Sequence, residues 1–160
     1  MAAAPTSFEE FFAETNVRLF GALCLVTRSR AEAEEIAQEA YVRIWERWDR
    51  VAVMDDPAGF LFRTAMNVFR SRYRRAALAL RRTVASTPAL DDIDAAEDRH
   101  VVLEALRELK PEQRAAVVLT TMYEYSSEDA GRLLGMRPST VRSLAMRARA
   151  NLRRTVGDRP

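Results

Sequence analysis

The sequence predicts an all-α protein built as two small helical domains joined by a flexible linker. Three observations carry that expectation. Apolar residues recur at three- and four-residue steps through most of the chain, the period of one helix face. Ala, Leu, Arg and Glu dominate, whereas Gly and Pro number only 5 and 6 among 160 residues, so helix formers have few interruptions. The periodicity then lapses in one place, VASTPALDDIDA from Val84 to Ala95, where Pro88 and a run of acids take over. We place a first domain at residues 5–84, the linker at 85–95 and a second domain at 96–157. An apolar content of 48% with 30% charged residues is globular rather than disordered.

The elements follow in order. Ser7 caps a first helix, Phe8 to Thr27, with Glu9 and Glu10 against its positive end. Ser29 caps a second, with Glu32 placed as in a capping box, running to Trp48. Ile36, Ala37, Ala40, Tyr41, Ile44 and Trp48 share its inner face, and Trp45 and Trp48 read as core and rim. Asp55-Asp56-Pro57 starts a third helix, Pro57 to Thr83, with Phe60, Leu61, Thr64, Ala65 and Val68 inward. Beyond the linker, Ala96 to Leu109 turns Val102, Leu103, Leu106 and Leu109 inward. Pro111 opens a fifth helix ending near Met122. Ser126 or Ser127 caps a short sixth, Glu128 to Leu134, which Gly135 ends. The seventh runs from Pro138 to Thr155.

Net charge is only +2, but its distribution is uneven. Pro57 to Leu90 holds seven arginines (63, 70, 72, 74, 75, 81 and 82) and no acid; Ala130 to Gly157 repeats the pattern with Arg132, Arg137, Arg142, Arg147, Arg149, Arg153 and Arg154. Acids gather at Glu32–Glu39 and Asp91–Asp98. Two acid-free cationic tracts on separate domains point to two contacts with a polyanion.

Other classes are excluded on residue grounds. Cys24 is the only cysteine and His100 the only histidine, and they fall in different domains, so neither a disulfide nor a His/Cys metal site is expected. No phosphate loop, Ser/His or Cys/His pair, or carboxylate cluster on the arginine helices suggests catalysis. No stretch reads as a leader or a membrane span, so the expectation is a cytoplasmic protein without cofactor or metal.

The segment EDAGRLLGMRPSTVRSLAMRAR, Glu128 to Arg149, has the pattern of a helix-turn-helix. Gly135 supplies a turn conformation that a Cβ resists. Val141, with Leu144 or Ala145, buries one side of the second helix. Ser139, Thr140, Arg142, Ser143, Met146 and Arg147 are left to face a major groove. Arg can grip guanine through two hydrogen bonds, and Ser and Thr can meet phosphate at the helix start.

At this point the chain resembles the extracytoplasmic-function (ECF) group of sigma-70 family RNA polymerase sigma factors over nearly its whole length. AEAEEIAQEAYVRIWERW resembles family region 2.2, LFRTAMNVFRSRYRR regions 2.3 and 2.4, and LKPEQRAAVVL with TVRSLAMRARANL regions 4.1 and 4.2. The resemblance implies a sigma-2-like bundle, a sigma-4-like helix-turn-helix domain, and a factor that directs core polymerase to promoters. It implies that Glu35, Gln38, Glu39 and Arg43 dock on the clamp helices of the β′ subunit. Asn67, Arg70, Arg72, Tyr73, Arg74 and Arg75 would engage the −10 element, Asn67 near a pocket for an extruded base. Arg142, Ser143, Met146 and Arg147, with Ser139 and Thr140, would read the −35 element. The implied partners are core polymerase, promoter DNA and an anti-sigma protein, with no membrane and no small-molecule substrate. Phe60 stands where the family usually has Trp, and Ala130-Gly131 where it has Ile-Ala. Leu144 replaces a common Arg and Arg137 a common capping Ser or Thr, which bears on the −35 sequence read.

Two other readings follow from the residues. A stand-alone helix-turn-helix regulator would need a dimer to match two half-sites, and no long heptad seam is present. A nucleic-acid enzyme would need the carboxylates that the arginine helices lack.

Overall fold

The computed structural model describes the backbone of residues 7–80 and 97–157 and the side chains of residues 7–79 and 101–157. The linker at 85–95, the ends of the adjoining helices near Thr83 and Ala96, and the His100 side chain lie outside the described residues. Among the described residues eight α-helices follow one another: α1 Phe8–Thr27, α2 Arg30–Trp45, α3 Trp48–Val51, α4 Pro57–Leu80, α5 Glu97–Arg107, α6 Pro111–Val117, α7 Ser127–Leu134 and α8 Pro138–Gly157.

The caps are those the side chains favour. Ser7 Oγ accepts from Glu10 N at 3.2 Å and Ser29 Oγ from Glu32 N at 3.2 Å. Arg28 ends α1 in the left-handed conformation (φ 60°), its N–H donating to Cys24 O at 2.9 Å. Asp56 Oδ1 accepts from Gly59 N at 2.9 Å at the start of α4. Helices α1, α2 and α4 pack as a bundle around Leu19, Leu23, Ile36, Ile44, Leu61 and Met66, all fully buried. In the second domain α8 packs across α5, α6 and α7.

Three details differ from expectation. The second helix stops at Trp45, not Trp48. Arg47 N turns back to Ile44 O at 3.1 Å, and α3 then directs Trp48 inward to Phe8 and Phe11, with ring centroids 5.6 and 5.2 Å apart. The fifth helix reaches Met122, but its last turn, Val118–Met122, widens to a π-helix. Val102, expected inward, is 44% exposed, whereas Ala105, Leu106 and Leu109 are buried.

The larger difference concerns α4. Its inward stripe was expected on one side, yet Phe62 and Phe69 are buried as well as Leu61, Ala65 and Val68. The second side is covered by the second domain: Phe62 meets Tyr123 and Tyr125 at centroid distances of 6.3 and 6.0 Å. The two domains therefore share one continuous apolar core.

Candidate nucleic-acid interface

The helix-turn-helix is built from backbone upward. Ser126, rather than Ser127, caps α7, its Oγ accepting from Asp129 N at 3.0 Å. Gly135 (φ 62°) closes the helix, and Met136 N returns to Gly131 O at 2.8 Å. Gly131, which departs from the family pattern, has a local reason: a Cβ there would stand 2.7 Å from Met136 O. The turn folds back tightly because position 131 has no side chain.

On α8, Val141, Ala145 and Ala148 are buried and Leu144 is half-buried. Ser139, Thr140, Arg142, Met146 and Arg147 are exposed on the other side and Ser143 is half-buried, so the six predicted residues form one outward surface. Met146 is 62% exposed, unusual for a thioether without a partner surface. The only acid reaching this surface among the described residues is Glu128, whose Oε1 lies 3.5 Å from Arg142 Nη1.

The α4 residues are divided. Asn67, Tyr73, Arg74 and Arg75 are exposed. Arg70 is half-buried, its guanidinium seated where a side chain on Gly135 would stand, with Nη1 3.5 Å from Asn67 Oδ1. Arg72 turns to α2 instead, donating to Glu35 Oε2 at 2.6 Å and lying 3.5 Å from Glu39 Oε2. The hydrogen bond from Arg72 to Glu35 raises the arginine's pKa further. Between the end of α2 and α4 lies a cavity of about 380 Å³ of mixed character, lined by Arg43, Arg47, Arg63, Thr64, Asn67 and Phe60, with Glu46 as its carboxylate.

The α2 residues also split. Arg43 pairs with Glu39 at 2.6 Å, so Glu35, Glu39 and Arg43 form one charged row with Arg72. Gln38 faces the other way, into an apolar groove of about 640 Å³ between α1 and α2, with Phe12, Phe20, Tyr41, Val42 and Trp45. Trp45 is 63% exposed and Val42 54%, which corrects the reading of Trp45 as core and rim. The signal was present in the sequence: Gln38, Val42 and Trp45 repeat at helical spacing beside, not within, the core stripe.

Two family models match the chain, Sigma-70 region 2 over residues 11–79 and Sigma-70, region 4 over residues 99–152. RNA polymerase sigma factor CarQ of Myxococcus xanthus is 32% identical, over 97% of this chain and 92% of that protein. The chain belongs to the ECF group of sigma-70 family RNA polymerase sigma factors. ECF RNA polymerase sigma factor SigM of Mycobacterium tuberculosis is 30% identical to this sigma factor, covering 94% of it and 78% of SigM. Among solved structures, the sigma factor RpoE in complex with the anti-sigma factor NepR from Bartonella quintana shares the fold with a TM-score of 0.81 at 23% identity, covering 95% of this chain and 98% of that one. Membership accounts for the α2 and α4 segments that a stand-alone regulator leaves without a role. As a sigma factor the chain associates with core polymerase and directs transcription initiation at promoters. No described helix is long and apolar enough to cross a membrane.

Proposed function

We propose that this sigma factor reads the −35 element with the outward face of α8 and the −10 element with α4, and docks core polymerase along α2. One observation carries the reading most: α8 buries Val141, Ala145 and Ala148 while holding Arg142, Met146 and Arg147 in solvent on an acid-free helix. An arginine displayed at the start of a groove-sized helix suits bidentate capture of guanine. The cavity beside Asn67 supports a place for one unstacked base, with Phe60 in its lining and arginines there for phosphate.

On the polymerase side the apolar groove supports a wider docking face than the acids alone. Gln38, Val42 and Trp45 supply a desolvated centre, and Glu35, Glu39 and Arg43 a charged rim. The protein works in the cytoplasm, beside polymerase and chromosome, and performs no chemistry of its own; its single cysteine fits that compartment. An anti-sigma protein is the class of antagonist this reading implies.

The test is co-elution with core polymerase followed by run-off transcription from genomic promoter fragments. Trp45→Glu should weaken core binding by about tenfold or more, because a carboxylate pressed into an apolar site costs above ~1.4 kcal/mol. If the wild-type chain never associates with core polymerase, the reading fails however well α8 binds DNA.

A further inference from the structure

Glu46 stands at the C-terminal end of α2, its N–H donating to Val42 O at 3.0 Å. The carbonyls there carry partial negative charge and disfavour a carboxylate. Cations are near: Arg43, Arg47 and Arg63 line the same cavity of about 380 Å³. Yet among the described residues Glu46 makes no ion pair and no side-chain hydrogen bond. Arg43 turns to Glu39 instead, at 2.6 Å. The Glu46 side chain is exposed, and no group of the protein claims its oxygens. The fold gains nothing from an acid at this position, and its cationic neighbours suit a polyanion. A carboxylate finds a use there when the occupant brings a proton donor of its own.

The other polar groups of the cavity narrow what carries that donor. Thr64 Oγ1 gives its proton to Phe60 O at 2.8 Å, so its oxygen is left to accept. Asn67 Oδ1 accepts from Arg70 Nη1 at 3.5 Å, which leaves the Asn67 amide N–H groups to donate. Arg47 and Arg63 only donate. An occupant therefore has to offer a donor and acceptors together. An unpaired base does so along its Watson–Crick edge. Cytosine and adenine set an exocyclic amine beside a ring nitrogen that accepts. Guanine sets an amine and a ring N–H beside its oxygen. Thymine has an oxygen on each side of its single N–H, so its edge turns acceptors toward a carboxylate. Two acceptors that meet without a proton are both desolvated and unpaired.

We propose that Glu46 selects the unstacked −10 base, accepting a hydrogen bond from the exocyclic amine of cytosine, adenine or guanine and discriminating against thymine. This rests on the reading of the cavity as the place of that base. The arginines hold the phosphates whatever the sequence. Glu46 makes the grip selective, because its charge repels the backbone of every sequence alike and only an amine-bearing base offsets that repulsion.

The experiment uses holoenzyme formed with the full chain and a promoter fragment whose −10 region is held unpaired by mismatches, so that strand opening drops out of the affinity. Abasic sites, placed singly along the non-template strand, find the position the cavity takes; the loss there should be roughly tenfold. At that position cytosine is compared with uracil, adenine with purine and guanine with hypoxanthine, pairs that differ in the amine. In the pair containing the tightest-binding base, the amine-bearing member should bind roughly tenfold tighter. Glu46→Ala should erase that preference, and Glu46→Gln, which keeps the size and loses the charge, should weaken it. The site is exposed, so neither variant disturbs the fold. A flat abasic scan removes the unstacked-base reading and the role of Glu46 with it. A sensitive position where the wild type ignores the amine, or where Glu46→Ala keeps the wild-type preference, overturns the role of Glu46 and leaves the cavity its base. An equal loss on every base in Glu46→Ala would place the carboxylate against core polymerase, which also overturns the proposal.

Discussion

The two arginine-rich helices of this sigma factor have similar compositions and opposite surroundings. Helix α8 is a surface helix with three fully buried positions and a free outer side. Helix α4 is gripped on two sides, by α2 and by the second domain, where Phe62 meets Tyr123 and Tyr125 and Phe69 faces Leu134 and Met136. On α8, Arg147 therefore stands in solvent and Arg142 meets only Glu128, 3.5 Å away, which suits the proposed contact with phosphate or guanine. On α4, Arg72 and Arg70 are already engaged, on Glu35 and against Gly135. Composition sets what a helix can bind; packing sets when.

The largest effect that would break this comparison is on stability. Phe62 is 2% exposed and touches aromatic rings of the other domain. Phe62→Ala should cost about 3–5 kcal/mol, the usual loss for a buried aromatic. Met146→Ala on α8, at an exposed position, should stay within about 0.5 kcal/mol. Urea denaturation followed by circular dichroism measures both. A Phe62→Ala loss under about 1 kcal/mol would mean that the ring is not shared between domains.

The sequence made the helices, their caps and the helix-turn-helix legible, because Ser7, Ser29, Pro57, Pro111 and Gly135 act locally. The apolar period also marked one face of each helix. What it did not show was α4 burying a second face. Phe62 and Phe69 sit among arginines, where a ring can stack on a base or on another domain, and only the tertiary arrangement decides. The same applies to Arg72. Its place in a basic tract suggests DNA, while Glu35 and Glu39 are 37 and 33 positions away and become neighbours only when α2 meets α4. Trp45 misled for the converse reason: a large aromatic beside a core stripe reads as core, yet it lines the open groove.

A medium effect sharpens the role of α8. Arg142→Ala with Arg147→Ala should cut discrimination between the preferred −35 sequence and a mismatched one by about 1–3 kcal/mol per lost bidentate contact. Core binding and the melting transition should hold, since both side chains are exposed. Competitive promoter binding by holoenzyme reads this directly. Equal loss on matched and mismatched sequences would reduce the two arginines to phosphate contacts.

The smallest effect separates two neighbours on α4. Arg74 is exposed, whereas Arg72 is held by Glu35 at 2.6 Å. A half-exposed ion pair of this kind contributes about 0–1 kcal/mol, so Arg72→Ala should barely move stability. The informative quantity is the salt dependence of promoter binding by holoenzyme. Losing one phosphate contact lowers the log–log slope by about 0.7–0.9. Arg74→Ala should show that drop and Arg72→Ala should not, as long as Arg72 stays on α2. Glu35→Gln with Glu39→Gln weakens the hold on Arg72, and in that background Arg72→Ala should acquire a slope change of its own. If Arg72→Ala lowers the slope with Glu35 and Glu39 intact, the arginine leaves α2 when DNA arrives, and the contrast between the helices belongs to the free chain alone.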